Sequence, residues 1–188
     1  MRQPLEDGVI SVSRASGTLQ FPAKFILVAA MNPCPCGYLT DPDRNCSCSP
    51  SNIIKYQKRI SGPLLDRIDL HVEVPKVKFD KLTSDQTSET SAEIRKRVEQ
   101  ARGFQQTRFK AVNIITNSEM SSRQVKELCQ VDDKTVSLLR QAVSQLNLSA
   151  RSYFRILKLA RTIADLAGTE KIKLEHVAEA LQYRPKVE

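Results

Sequence analysis

A small α/β region followed by an all-α helical bundle is the fold class this sequence predicts. Three observations carry it. Before residue 82, apolar residues alternate at period two or run in short continuous stretches. Residues 83–91 are wholly polar. After them, apolar residues recur at helical spacing to the end of the chain. The 188 residues allow one domain or two small ones. The polar stretch divides them into 1–82 and 83–188.

In chain order, Arg2-Gln-Pro-Leu-Glu reads as a helix end. Val9–Arg14 alternates, Ala15-Ser16-Gly17 offers a turn, and Thr18–Phe21 extends again, which together predict a β-hairpin. Phe25–Met31 is a continuous apolar run stopped by Asn32-Pro33, the pattern of a strand buried on both faces of a parallel sheet. Residues 33–50 form a loop of Pro, Gly, Asp and Cys. Ser51 is placed to cap a helix over Ile53–Ile60, with Gly62-Pro63 as its stop. Leu64–Ile68 makes a short helical turn, and Leu70–Val74 a second strand closed by Pro75.

In the second half, Thr90 with Glu93 and Ser121 with Gln124 have capping-box spacing. Val136, Leu139, Val143 and Leu146 make one apolar face. Tyr153, Ile156, Leu157, Ala160, Ile163, Ala164 and Ala167 make another, begun by Ser149 and stopped by Gly168. Leu174, Val177, Ala178 and Leu181 mark a last short helix. The sum is a bundle of four or five helices.

Composition narrows the function. Hydrophobic residues are 40% and charged residues 27%, the balance of a globular chain. Twenty-nine Lys and Arg face 21 Asp and Glu, for +8 and a pI near 9.4, which suits a polyanionic partner. The excess is spread over both halves, so charge alone does not locate a site. Trp is absent and aromatics are 5%, so base-stacking platforms are not indicated. No apolar run approaches the roughly 20 residues of a bilayer span, and no signal-peptide core opens the chain. A cytoplasmic protein without a membrane partner is expected.

Four of the five cysteines, Cys34, Cys36, Cys46 and Cys48, fall in one 15-residue window as C-x-C-x9-C-x-C. Four thiolates suit a closed tetrahedral Zn²⁺ site, although x1 spacing is tighter than the usual knuckle. Free thiols, or two disulfides, are the other reading. His71 alternates within the second strand and His176 lies in a helical turn. Residues 137–160 hold no carboxylate, and no Ser-His-Asp grouping is visible. A hydrolase triad or a carboxylate-based metal enzyme has little support.

Four strings together resemble the magnesium-chelatase-like AAA+ ATPases, in the bacterial ComM/YifB group. They are Arg2-Gln-Pro-Leu-Glu-Asp-Gly8, Val28-Ala-Ala-Met-Asn-Pro-Cys-Pro-Cys-Gly37, Arg59-Ile-Ser-Gly-Pro-Leu-Leu-Asp-Arg-Ile-Asp69 and Ala160-Arg-Thr-Ile-Ala-Asp-Leu-Ala167. The resemblance spans nearly the whole chain. It implies that residues 1–82 are the C-terminal part of an AAA+ core, with the sensor-1 hairpin and strands, and that residues 83–188 are the helical lid. In that family Walker A and B segments precede this region. Neither a G-x-x-x-x-G-K-[ST] string nor a hydrophobic strand ending in Asp-Glu occurs here, so the chain reads as a C-terminal fragment of a longer protein.

The resemblance also assigns roles. Asn32, after the apolar run, corresponds to sensor 1, which orients the attacking water; by itself Asn-Pro is also a turn initiator. Arg67 corresponds to the arginine finger that reaches a neighbouring subunit's ATP, with a salt bridge to Asp66 or Asp69 as the plain reading; Arg59 is a weaker candidate for the same interface. Arg151, in the first turn of a helix, corresponds to sensor 2, with Arg155 the competing choice and a solvated residue the plain reading. Arg155 and Arg161 are expected on the polar face of that helix. Arg14 holds the basic place near the tip of the pre-sensor-1 hairpin, which in the clade that includes the MCM helicases points into the pore and touches DNA. A lone Arg beside a turn Gly is otherwise a solvated residue.

The implied parent is an ATP- and Mg²⁺-dependent DNA motor for branch migration in recombination and natural transformation. It would self-associate into a hexameric ring around DNA. The fragment alone is expected not to hydrolyse ATP, because nothing in it can cradle phosphates. Two rivals stand: a zinc-containing nucleic-acid-binding or interaction module without a motor, and a chelatase motor subunit. The four cysteines argue against the second.

Overall fold

The computed structural model describes residues 2–76 and 89–184, which fall into two compact units. The first comprises residues up to 68 together with 73–76; the second comprises 69–72 together with 89–184. Of the polar stretch 83–91, the part up to Ser88 lies outside the described residues.

The first unit opens with α1 (Arg2–Asp7). It stops at Gly8, whose φ of 65° is the left-handed conformation that ends helices at little cost to glycine. Gly8 N–H donates to Pro4 O at 3.1 Å, and Gly8 O accepts from Ala23 N–H at 2.7 Å, tying the base of the following hairpin. Strands β1 (Val9–Arg14) and β2 (Gly17–Pro22) pair antiparallel in the expected place. Ile10 faces Phe21 and Val12 faces Leu19, so these four share one face with Arg14 at its tip. Ser13 and Thr18 hydroxyls meet at 3.0 Å on the other face.

Two expected strands are absent from the described sheet. Residues 23–32 run without ladder partners, with Ile26 88% and Val28 87% exposed. A strand buried on both faces needs neighbours along both edges, and no described residue supplies them. Leu70–Val74 is likewise unpaired as a strand. His71 N–H donates instead to Tyr183 O at 2.9 Å within the second unit.

Helix α2 (Pro50–Gln57) begins earlier than the sequence suggested. Its cap is Ser49 rather than Ser51: the Ser49 hydroxyl accepts Asn52 N–H, and Pro50 fills the first helical position, where its missing N–H costs nothing. Helix α3 (Gly62–Leu65) likewise starts at the Gly-Pro pair expected only as a stop, for the same reason.

The second unit is helical: α4 (Ser91–Arg108), a 3₁₀ turn (Asn117–Glu119), α5 (Ser122–Leu128), α6 (Asp133–Gln145), α7 (Ala150–Leu166) and α8 (Leu174–Gln182). Both capping boxes form, at Thr90–Glu93 and Ser121–Gln124. Ser149 caps α7, and Gly168 ends it at φ 66°. Asn147 takes φ 47° after α6, a conformation its short polar side chain tolerates. Ile156, Leu157, Ala160 and Ala164 on α7 form the middle of the core, with Val177 and Ala180 of α8, Val125, Cys129 and Leu139 against them. The architecture is therefore a two-stranded sheet in a small α/β start, followed by a helical lid.

Candidate metal centre and interaction residues

The four clustered cysteines come together. Cys34 Sγ lies 3.4 Å from Cys36 Sγ and 3.7 Å from Cys46 Sγ, and Cys36 and Cys46 are 3.5 Å apart. All four sulfurs lie within 4.8 Å of one another, and no disulfide links them. Four sulfurs around one zinc at about 2.3 Å stand roughly 3.8 Å apart in a tetrahedron. The arrangement can hold a metal ion and is compatible with Zn²⁺.

Local chain chemistry builds it. Gly37, at φ 83°, makes the turn after Cys36, and its N–H donates to Cys34 O at 3.0 Å. A Cβ there would sit 3.7 Å from Asn32 Nδ2, so Asn32 abuts the cysteine loop. The turn aims backbone N–H groups at sulfur. Tyr38 N–H on Cys36 is the main reason that thiol is pulled down to about 5, with Ser47 N–H and the Cys34 and Cys48 thiols assisting. At Cys46 the Cys48 N–H pulls downward, but burial and the neighbouring thiols outweigh it and push the group up to about 12. Cys48 is also raised: its bond from the Cys36 backbone lowers it, and the Cys36 thiol and burial prevail. Cys36 thus takes negative charge first, while Cys46 and Cys48 are held protonated. Ionising all four together calls for a cation among them.

The loop is pinned at its rim. Lys76 bridges Asp43 at 3.1 Å and Asp41 at 3.5 Å. Arg44 lies over the Tyr38 ring, 4.2 Å from its centroid. Gln57 of α2 donates to Pro33 O at 3.2 Å, so the helix that follows the cluster is tied back to the residue before it.

The remaining sequence-derived candidates are placed as follows. Arg14 is exposed at the hairpin tip, paired in register with Gly17. Asn32 is exposed at the entry to the cysteine loop. Arg67 is half-buried and its guanidinium donates to Pro63 O, one turn back along α3. Arg151 is exposed in the first turn of α7, whereas Arg155 pairs with Asp69 at 3.0 Å. Arg14, Asn32 and Arg67 belong to the first unit, and Arg151 to the second.

Sequence reasoning missed a buried polar group and misplaced Arg161. That residue is not on a polar face: it is 3% exposed, donates to Asp165 at 3.1 Å, and holds the Thr169 and Glu170 carbonyls beyond the helix end. Asp165, 2% exposed, also accepts from Arg108 at 2.5 and 2.9 Å and from Asn117 at 2.8 Å. The i,i+4 spacing of Arg161 and Asp165, flanked by Ala160 and Ala164, was the available signal. His176 is also buried, with Nδ1 accepting Lys173 N–H at 3.1 Å at the start of α8.

The family described as magnesium chelatase, subunit ChlI, matches residues 1–82, and its C-terminal family, magnesium chelatase, subunit ChlI C-terminal, matches residues 88–184. The chain belongs to the magnesium chelatase ChlI family. It is 46% identical over 189 residues to competence protein ComM of Haemophilus influenzae, covering 100% of this chain and 36% of that protein. It is 37% identical over 185 residues to the protein YifB of Escherichia coli and 36% to YifB of Salmonella typhimurium, each covering 98% of this chain and 35% of the relative. The chain spans about a third of the length of these relatives. No helix among the described residues is long and apolar enough to cross a membrane.

Proposed function

We propose that these residues form the sensor, finger, DNA-contacting and lid portion of an AAA+ ATP-driven DNA motor of the ComM type, working as a subunit of a cytoplasmic ring. The observation that carries the reading is the β1–β2 hairpin, a two-stranded arm with an exposed cation at its tip, in a chain 46% identical to a competence protein throughout. A cation on such an arm can grip phosphate without reading sequence, as translocation requires. Asn32 would orient the attacking water, Arg67 would reach the γ-phosphate of a neighbouring subunit's ATP, and Arg151 would tie the lid to nucleotide. ATP and Mg²⁺ would be held by a phosphate loop that these 188 residues do not contain. Cys34, Cys36, Cys46 and Cys48 would hold Zn²⁺, which when bound supplies a structural cross-link rather than a reacting centre.

The test is Arg14→Ala in the full-length protein, with ATPase and branch-migration rates measured together. Basal ATPase should persist, while DNA stimulation and branch migration fall several-fold. Unchanged branch migration would remove Arg14 from the DNA-gripping role. A second reading, a zinc-built interaction module without motor activity, is favoured by the cysteine cluster alone. It predicts a full-length protein that neither hydrolyses ATP nor moves DNA junctions.

A further inference from the structure

The geometry points to a second nucleic-acid contact, on the solvent face of α2, where Lys55 and Lys58 grip the phosphate backbone of DNA beside the cysteine cluster. The proposal rests on the DNA-motor reading and adds a surface to it. Ser51, Ile54, Lys55, Lys58 and Arg59 stand at positions i, i+3, i+4, i+7 and i+8, one continuous stripe along the helix and its exit. They line a shallow depression of about 480 Å³. All except Ile54 are polar or cationic, and all five are exposed.

The stripe differs from an ordinary solvated helix face in its charge. An exposed helix usually intersperses both signs, so that i,i+4 pairs neutralise one another. From Arg44 to Leu65 there is no Asp or Glu, while Arg44, Lys55, Lys58 and Arg59 all lie in that stretch. Among the described residues Lys55 and Lys58 make no ion pair. Asp41 and Asp43 of the same unit are paired with Lys76. The guanidinium of Arg59 lies 5.9 Å from the Tyr56 ring centroid, close enough for a cation–π contact that leaves its charge in place.

Anchoring supplies the second argument. Phosphate contacts gain when the cations are held in place beforehand, because less freedom is lost on binding. Helix α2 begins two residues after Cys48, with Ser49 between them as its cap, and Gln57 at its other end is bonded to Pro33 at the entrance of the loop. Both ends of the helix are therefore tied to the cysteine loop, through the Ser49 cap at one end and the Gln57–Pro33 bond at the other. A polyanion with regularly spaced charges satisfies such a row. Lys55 and Lys58 act there as point charges, which suit successive phosphates rather than a single bidentate carboxylate.

The experiment is the salt dependence of DNA binding by the full-length protein, comparing wild type with Lys55→Gln/Lys58→Gln on a fluorescent single strand and on the matching duplex. Each phosphate contact contributes about 0.9 to the slope of log K against log salt on duplex and about 0.7 on a single strand. The double variant should lower the slope by about 1.4–1.8, weaken binding on every DNA sequence equally, and keep basal ATPase. An unchanged slope and affinity, with Arg14→Ala still weakening binding, overturns the α2 contact and leaves the motor reading intact. Loss of retention on anionic vesicles without any change in DNA slope overturns it in favour of a lipid. A wild-type protein without DNA affinity overturns both readings.

Discussion

The two units hold their shapes by different means. In the helical unit the core is continuous, from Phe109 and Met120 through Leu139 and Ile156 to Val177 and Ala180. In the first unit the only apolar residue that is fully withdrawn from water, among the described residues, is Cys34. Its shape between residues 33 and 60 comes from sulfur, turn hydrogen bonds and helix caps. Hydrophobic burial stabilises one unit, and ligand chemistry is available to stabilise the other.

The largest effect separates them directly. Binding free energies of structural zinc in small peptides are on the order of 10–16 kcal/mol, and such modules unfold without metal. Protein purified under reducing conditions should carry one zinc per chain. A strong chelator should abolish amide-exchange protection across the cysteine loop and α2 while leaving α7 and α8 protected. Metal-free protein with unchanged protection at Gly37 and Tyr38 would mean that turn hydrogen bonds alone support the loop.

The helical unit has its own polar vulnerability. Asp165→Ala would leave Arg161 buried without its carboxylate and Arg108 without its bidentate partner. Breaking a buried pair from one side costs about 3–5 kcal/mol. Chemical denaturation should show that loss in the helical transition, with zinc content unaltered. A loss below about 1 kcal/mol would place the pair with ordinary surface bridges.

A smaller effect is a pH dependence confined to the same unit. Burial lowers the His176 pKa; Lys173 and Arg161 push the same way, and Glu175 and Glu179 oppose them. A folded value below the unfolded one means that the unfolded chain binds the proton more readily. The stabilisation is complete above about pH 6.5 and is lost as pH falls toward the folded value. Protonated Nδ1 also could not accept Lys173 N–H. The Tm of wild type should fall more between about pH 7 and about pH 5 than that of His176→Gln, which keeps an acceptor but does not titrate. Parallel curves would assign the acid sensitivity elsewhere.

Legibility followed the same division. In the helical unit, helix starts were readable because a cap and its partner lie three residues apart, as with Thr90–Glu93 and Ser121–Gln124; in the first unit, Pro50 and Pro63 open helices that the sequence reading began later. The hairpin was readable because alternation and turn are both local. The cysteine group was readable from composition, and its closure within 4.8 Å is what spacing could not give. Strand pairing of Phe25–Met31 depends on neighbours distant in sequence, which an apolar run does not identify. The Arg108–Asp165 pair joins residues 57 positions apart, and nothing in the local pattern around Arg108 marks it.

The hairpin that carries Arg14 behaves as a ruler with discrete marks. Arg14 faces Gly17 across two turn residues, so the tip advances only when both strands lengthen together. One added pair carries it about 3.3 Å outward and turns the tip side chain to the opposite face. A cation on the Ile10–Val12 face returns only after two added pairs, about 6.6 Å on. How far the arm reaches and which way its cation looks are therefore locked to each other by parity, and a change of stride in this arm can come only in even steps.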